Sequence, residues 1–214
     1  MPRFPTGING LDVVLDGGIR PGTLVVIETD TTGQGDSLLR HLVAQQPTIY
    51  FSTTRSEESA EEWLWDKQLL FDMTHVHIES IRSDSKLEVL ESYLATLSKP
   101  MNVMIDPVNR LALREEEEYL ETFHQLKSYL HHKRRVGYLH VQTTPGQSAD
   151  EDGENVAAIY RTSDMVWKLS GQRAGTNVTQ LVISKRRAHE IPQKPLDLRI
   201  GSEITVDNSR RISV

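Results

Sequence analysis

The chain has 214 residues, a length that fits one domain with a sizeable hydrophobic core. It contains no cysteine, which excludes disulfides, thiolate metal sites and cysteine nucleophiles. Its 30 acidic and 24 basic residues give a net charge of -6, so a broad nucleic-acid surface is not expected. Residues 1–9 lack the apolar core of a secretory signal, and no apolar run could span a bilayer. We therefore expect a single domain, residues 1–214, in a cytoplasmic protein without a membrane segment.

Strand-like and helix-like segments alternate through the first two thirds of the chain. Short apolar, β-branched runs predict strands, and leucines at helical spacing predict helices. The predicted strands span residues 23–28, 48–53, 74–79, 101–106 and 136–142. The predicted helices span residues 36–45, from an N-cap at Ser56 to about 71, 86–97, 115–135 and 156–161. This alternation favours a parallel sheet with helices packed on it.

The last third of the chain has a different pattern. A polar, acidic stretch at residues 145–153 is typical of a solvated loop. Closely spaced short strands follow, at residues 165–170, 179–185, 196–200, 203–206 and 211–214. Such spacing favours antiparallel pairing, so we expect an α/β fold with a C-terminal antiparallel β extension.

Three segments resemble those of a known superfamily. Pro5–Gly22 reads PTGINGLDVVLDGGIRPG and is similar to the segment that leads into the first core strand of KaiC-like and RecA-like ATPases. Asp164–Leu169 (DMVWKL) and Leu181–Arg187 (LVISKRR) resemble two strands near the superfamily's C-terminus. The resemblance implies a RecA-like P-loop three-layer sandwich. It also implies side-by-side assembly into a homo-oligomer with nucleotide at the subunit interfaces.

The segment that aligns with the phosphate-binding loop departs from the superfamily pattern. A working loop reads GxxxxGK[ST], in which the lysine neutralises the terminal phosphates and the hydroxyl binds Mg²⁺. Gly33, Gly35 and Ser37 fit this pattern, but Asp30 replaces the first glycine and Asp36 replaces the lysine. Two unit charges about 4 Å apart interact by about 4 kcal/mol at an effective dielectric of roughly 20. Replacing attraction by repulsion therefore predicts a vestigial nucleotide site.

The acids that the superfamily uses for catalysis and metal binding are only partly retained. The catalytic glutamates align with Thr54 and Arg55, and Glu57 lies at the start of the next predicted helix. Asp106 ends a predicted strand and matches the Walker B aspartate, which with Ser37 would hold Mg²⁺. A strand-end acid without a metal is an equally good interpretation of Asp106.

The basic run near the C-terminus also has two interpretations. Lys185, Arg186 and Arg187 match a region where relatives reach a neighbouring subunit's phosphate, so Lys185 is a candidate nucleotide-binding residue. The alternative is a solvated basic strand end.

Two tryptophans and two histidines admit only weaker hypotheses. Trp63 and Trp65 lie on one predicted helix but not on one face, so at least one should be partly exposed. His75 and His77 share a strand face, but a third metal ligand is not evident, and a metal site is not expected. The acids between residues 150 and 154 argue against DNA binding at that loop and leave a protein partner or plain solvation.

These observations predict a non-hydrolysing KaiC/RecA-like regulatory or scaffolding protein that acts through a protein partner and needs no cofactor. The first alternative is an ATP-binding ATPase or nucleotide switch with a rearranged site, which would use ATP and Mg²⁺. The second is a DNA-associated, recombinase-like accessory protein.

Overall fold

The computed structural model describes residues 2–30, 35–65, 74–81, 86–97, 99–111, 116–144, 154–170, 178–201 and 203–207. The strands in these residues are β1 (Leu24–Asp30), β2 (Thr48–Ser52), β3 (Val76–Ser80), β4 (Asn102–Asp106), β5 (Gly137–Thr143), β6 (Met165–Ser170), β7 (Val178–Arg186), β8 (Leu196–Ile200) and β9 (Ile204–Val206). The helices are α1 (Asn9–Val14), α2 (Gly35–Ala44), α3 (Glu57–Leu64), α4 (Lys86–Thr96), α5 (Glu116–Lys133) and α6 (Glu154–Thr162), with a 3-10 helix at Val108–Arg110.

The strands form one sheet in the order β3-β2-β4-β5-β1-β6-β7-β8-β9. Neighbouring strands are parallel from β3 to β6 and antiparallel from β6 to β9. This confirms the predicted α/β fold class with a C-terminal antiparallel extension. The extension starts at β7, because α6 provides the crossover that lets β6 lie parallel to β1.

Helices cover both faces of the sheet and make three layers. Because alternate side chains of a strand point to opposite faces, each strand contributes to two cores. Val25 and Ile27 of β1 belong to one core, which includes residues of α1, α2 and α3. Leu24 and Val26 belong to the other core, which includes residues of α4, α5 and α6. Burial on both faces explains why the parallel strands are continuous apolar runs in the sequence.

Helix boundaries follow the sequence in one case and depart from it in another. Ser56 caps α3 as predicted, because its Oγ accepts the Ser59 amide at 3.3 Å. The sequence pattern does not predict α1, a six-residue helix with two consecutive β-branched valines. Gly10 of α1 lies against β9, where a Cβ would come within 2.6 Å of the Val206 side chain. Packing at this close approach, rather than helix propensity, accounts for α1.

Some sequence predictions fall on residues outside the described ranges. These are the loop at 145–153, the strand at 211–214 and the continuation beyond residue 65 of the predicted helix that Ser56 caps. In the part of the chain that the structure describes, no helix is both long enough and apolar enough to cross a membrane.

Candidate functional site

The parallel strands β1, β2, β4 and β5 end at a common edge of the sheet, here called the carboxyl edge. Open α/β sheets bind their ligands outside this edge. Most of the predicted nucleotide-site residues lie there: Gly35, Asp36 and Ser37 begin α2, and Asp106 is the last residue of β4. Gly33 lies outside the described residues.

Asp106 is the centre of a buried hydrogen-bond network at the carboxyl edge. Asp106 is only 3% exposed to solvent. Oδ1 accepts a hydrogen bond from Nδ1 of His140, and Oδ2 accepts one from the Tyr50 hydroxyl. The Arg55 guanidinium also donates to Oδ2, over 3.3 Å. Three donors of the protein itself therefore occupy both carboxylate oxygens.

The charge state of Asp106 is set by its hydrogen-bond partners rather than by its burial. Burial alone would raise the pKa of Asp106, but the hydrogen bond and charge of His140, with Tyr50 and Arg55, hold that pKa below its ordinary value. Burial and the adjacent carboxylate together raise the pKa of Tyr50 well above its ordinary value. Asp106 is therefore an anion at neutral pH and Tyr50 a neutral donor to it.

His140 extends the network to β1 and α2. Because a carboxylate only accepts hydrogen bonds, the Nδ1 that faces Asp106 carries the hydrogen. Nε2 lies 2.8 Å from Oγ1 of Thr29, which repeats the hydroxyl–imidazole–carboxylate order of acyl-transfer triads. Thr29 is only 4% exposed, however, and a Cβ on Gly35 would come within 2.6 Å of its side chain. In the described geometry, Thr29, His140 and Asp106 therefore form a buried hydrogen-bonded series, and the Thr29 hydroxyl is not an accessible nucleophile.

The alternation of side chains along the strands explains why these residues meet. Thr29 lies two residues after the buried Ile27, and Asp106 lies two residues after the buried Met104, so both face the α2 side of the sheet. Tyr50 and His140 share that parity on β2 and β5. Neither residue belongs to a recognisable sequence motif, although an imidazole within the apolar run of β5 is the signal that could have identified His140.

Asp36 takes part in a second cluster around Trp63. Its Oδ2 accepts the indole N–H of Trp63 at 3.0 Å. The Arg40 and Arg55 guanidiniums lie over the Trp63 ring, 4.7 and 4.5 Å from its centroid. The Tyr50 and Trp63 ring centroids are 5.7 Å apart, so the two clusters adjoin. The indole thereby fixes the position of the Asp36 carboxylate.

The other candidates from the sequence occupy less central positions. Ser37 is half-buried in the first turn of α2, while Thr54 and Glu57 are exposed. Trp65 is 49% exposed, which confirms that at least one of the two tryptophans reaches the surface. His77 pairs with Glu79, with Nε2 and Oε1 2.8 Å apart.

The basic run of β7 makes contacts within its own chain. Nζ of Lys185 donates to the carbonyls of Tyr160 and Arg161, at 2.6 and 3.1 Å, near the end of α6. Arg186 pairs with Asp16 at 2.8 Å. Both cations are therefore paired with acceptors of the same chain.

Comparisons with known proteins agree with the geometry of the sheet. A model of the family described as "Family of unknown function (DUF7125)" matches residues 3–213. The solved structures include a similar one, the KaiC-like protein PH0186 of the hyperthermophilic archaeon Pyrococcus horikoshii OT3. It aligns with a TM-score of 0.71 and 19% identity, over 96% of this chain and 98% of the other. No protein with a curated description matches the sequence. The chain therefore belongs to the DUF7125 family, a family of unknown function, and has a KaiC/RecA-like fold.

Proposed function

We propose that this protein is a non-hydrolysing relative of KaiC/RecA-like ATPases that acts as a regulator or scaffold through protein contacts. The observation that carries the proposal is the position of Asp36. The superfamily's lysine is replaced by a carboxylate that accepts the Trp63 indole N–H at 3.0 Å.

The charge at position 36 opposes the binding of a triphosphate. An indole N–H is only a donor, so the Asp36 carboxylate is the acceptor of this contact and presents no donor to a phosphate. A carboxylate about 4 Å from a phosphate charge repels it by about 4 kcal/mol at an effective dielectric of roughly 20, where a lysine would attract it by a similar amount. The difference amounts to several orders of magnitude in the dissociation constant.

The metal half of an ATP–Mg²⁺ site fits the residues equally poorly. Mg²⁺ is bound through one or two carboxylates in near-ideal octahedral geometry. His140, Tyr50 and Arg55 take three of the roughly four acceptor positions of the Asp106 carboxylate, so a metal at this carboxylate would compete with these donors. We therefore assign no hydrolytic step to the carboxyl edge.

A role in protein contacts is supported by one feature of α3. Trp65 follows this helix and is 49% exposed, next to the apolar side chains of Leu64, Val76 and Ile78. Tryptophan is enriched at protein interfaces relative to the rest of the surface.

A phosphate-release assay tests the proposal. We expect no Mg²⁺-dependent ATP turnover by the purified protein above that of a no-enzyme control. Mg²⁺-dependent turnover that disappears in Asp106→Asn, with the variant still folded by circular dichroism, would overturn the proposal.

A second candidate is a nucleotide switch with a rearranged site, and Arg55 favours it. This half-buried guanidinium lies 3.3 Å from Asp106, close enough to the carboxyl edge to supply a cation in place of the lost lysine. Micromolar binding of a fluorescent ATP analogue, abolished in Arg55→Ala and retained in Lys185→Ala, would support the switch. The absence of binding in all three proteins would favour the first proposal.

A further inference from the structure

A basic cleft lies at the opposite end of the parallel strands, near the amino end of β1. Phe4 and Ile19 form an antiparallel bridge there and exchange two backbone hydrogen bonds, each 2.8 Å long. The bridge places the next residues outward, Arg3 and Arg20, opposite each other. Like charges at directly opposed positions of a β pair are destabilising.

The two arginines line a cleft of about 420 Å³ together with Pro2 and Pro21. Nη1 of Arg3 donates to the carbonyls of Leu15 and Gly18, at 2.9 and 3.2 Å, which anchors that side chain. Arg20 is exposed and has no acidic partner within the described residues. One guanidinium is thus fixed, and the other is available to a ligand.

The charge around the cleft is positive although the whole chain is acidic. The nearby carboxylate of Asp16 is shared by Arg186 at 2.8 Å and Arg3 at 3.8 Å. Burial, and after it the charges of Arg20, Arg186 and Arg3, lower the pKa of His189. The Asp16 carboxylate therefore pairs with two guanidiniums, and Arg20 adds a cation to which the described residues supply no acidic partner.

We propose that the cleft between Arg3 and Arg20 binds a phosphate group. Guanidiniums bind phosphate oxygens through paired hydrogen bonds, and an oxyanion between two opposed guanidiniums removes their repulsion. The prolines fix the backbone φ angle on both sides, which lowers the entropy lost when a ligand binds. The proposal is independent of the proposed function, because the cleft lies at the other end of the strands from Asp36.

Calorimetry at low ionic strength tests the site with inorganic pyrophosphate as the probe. We expect the wild-type protein to bind pyrophosphate and Arg20→Ala to bind it at least tenfold more weakly, with Arg20→Lys intermediate. Arg110→Ala is the matched control, because Arg110 is also exposed but follows the carboxyl end of β4. Arg110→Ala should leave the affinity unchanged.

Two further titrations distinguish the source of the phosphate. A phosphoserine peptide that binds tenfold more tightly than its unphosphorylated form would indicate a protein-borne group, whereas binding of pyrophosphate alone would indicate a small molecule. Citrate tests for a general anion site and should bind much more weakly than pyrophosphate. The proposal is overturned if pyrophosphate does not bind, if Arg20→Ala binds it like the wild type, or if citrate binds equally well.

Discussion

The two ends of the parallel strands differ in how their charges are satisfied. At the carboxyl edge, Asp106 accepts from His140, Tyr50 and Arg55, and Asp36 accepts from an indole. At the amino end, Arg20 has no acidic partner in the described residues and faces Arg3 across a cleft. At the carboxyl edge, where open α/β sheets usually bind their ligands, the charged groups are therefore hydrogen-bonded to the protein's own side chains. At the amino end, the Arg20 guanidinium, which has no acidic partner among the described residues, remains available to a ligand.

The largest expected change in the free energy of unfolding comes from a substitution that breaks the hydrogen-bond network at the carboxyl edge. Asp106→Ala leaves three buried or half-buried donors without their acceptor, and removing one partner of a buried pair costs about 3–5 kcal/mol. Urea unfolding should show a loss of this size. Asp207→Ala serves as the control, because its partner Arg199 is 62% exposed and such pairs contribute at most about 1 kcal/mol. A vacant metal ligand would behave oppositely, since its removal would leave the free energy of unfolding unchanged or raise it.

The pH dependence of the free energy of unfolding also tests whether the ionised Asp106 stabilises the fold. The pKa of Asp106 is lowered in the folded state, so the unfolded chain, with a pKa of about 3.9, binds this proton more readily. The stabilisation is present above pH of about 4 and is lost as the pH falls toward the folded-state pKa. Denaturation curves of the wild type and Asp106→Asn should therefore converge as the pH is lowered below about 4. A constant difference between them would contradict this assignment.

A smaller effect is expected when a single donor is removed. Tyr50→Phe deletes the hydroxyl that donates to Asp106 and should lower the free energy of unfolding by about 1–3 kcal/mol. Thermal unfolding monitored by circular dichroism measures the change. If the value were unaltered, Asp106 would not depend on this contact.

The smallest effect concerns Lys185 of β7, for which the resemblance to KaiC-like and RecA-like ATPases suggests a contact with a neighbouring subunit's phosphate. Lys185→Met removes the contacts to the carbonyls of Tyr160 and Arg161, near the C-terminal end of α6. A cation at such a position contributes about 0.3–1 kcal/mol, so we expect a loss of that size and no change in oligomeric state by light scattering. Dissociation of an assembly in this variant would instead favour a role across a subunit interface.

The sequence predicts the fold better than the site because the fold rests on local signals. Alternating apolar runs and leucine periodicity identify most strands and helices, and the Ser56 cap is visible from its neighbours. The partners of Asp106, in contrast, are not indicated by local sequence signals. Tyr50 and His140 lie 56 and 34 residues from it along the chain, and only the strand order β2-β4-β5 brings them together. The opposed pair Arg3 and Arg20 likewise depends on the Phe4–Ile19 bridge, which no local pattern indicates.

The most direct test of the account is calorimetry with ATP and Mg²⁺ on the wild type, Asp36→Lys and Glu58→Lys. Glu58 is an exposed acid in the first turn of α3, so its replacement makes the same change of charge at another helix start. All three proteins also carry Arg20→Ala, so that the proposed phosphate cleft does not contribute to the signal. We predict no detectable binding to the otherwise wild-type chain or Glu58→Lys, and measurable binding to Asp36→Lys. Tight, Mg²⁺-dependent binding to the wild type that Asp36→Lys does not improve would contradict the claim that the Asp36 carboxylate excludes the nucleotide.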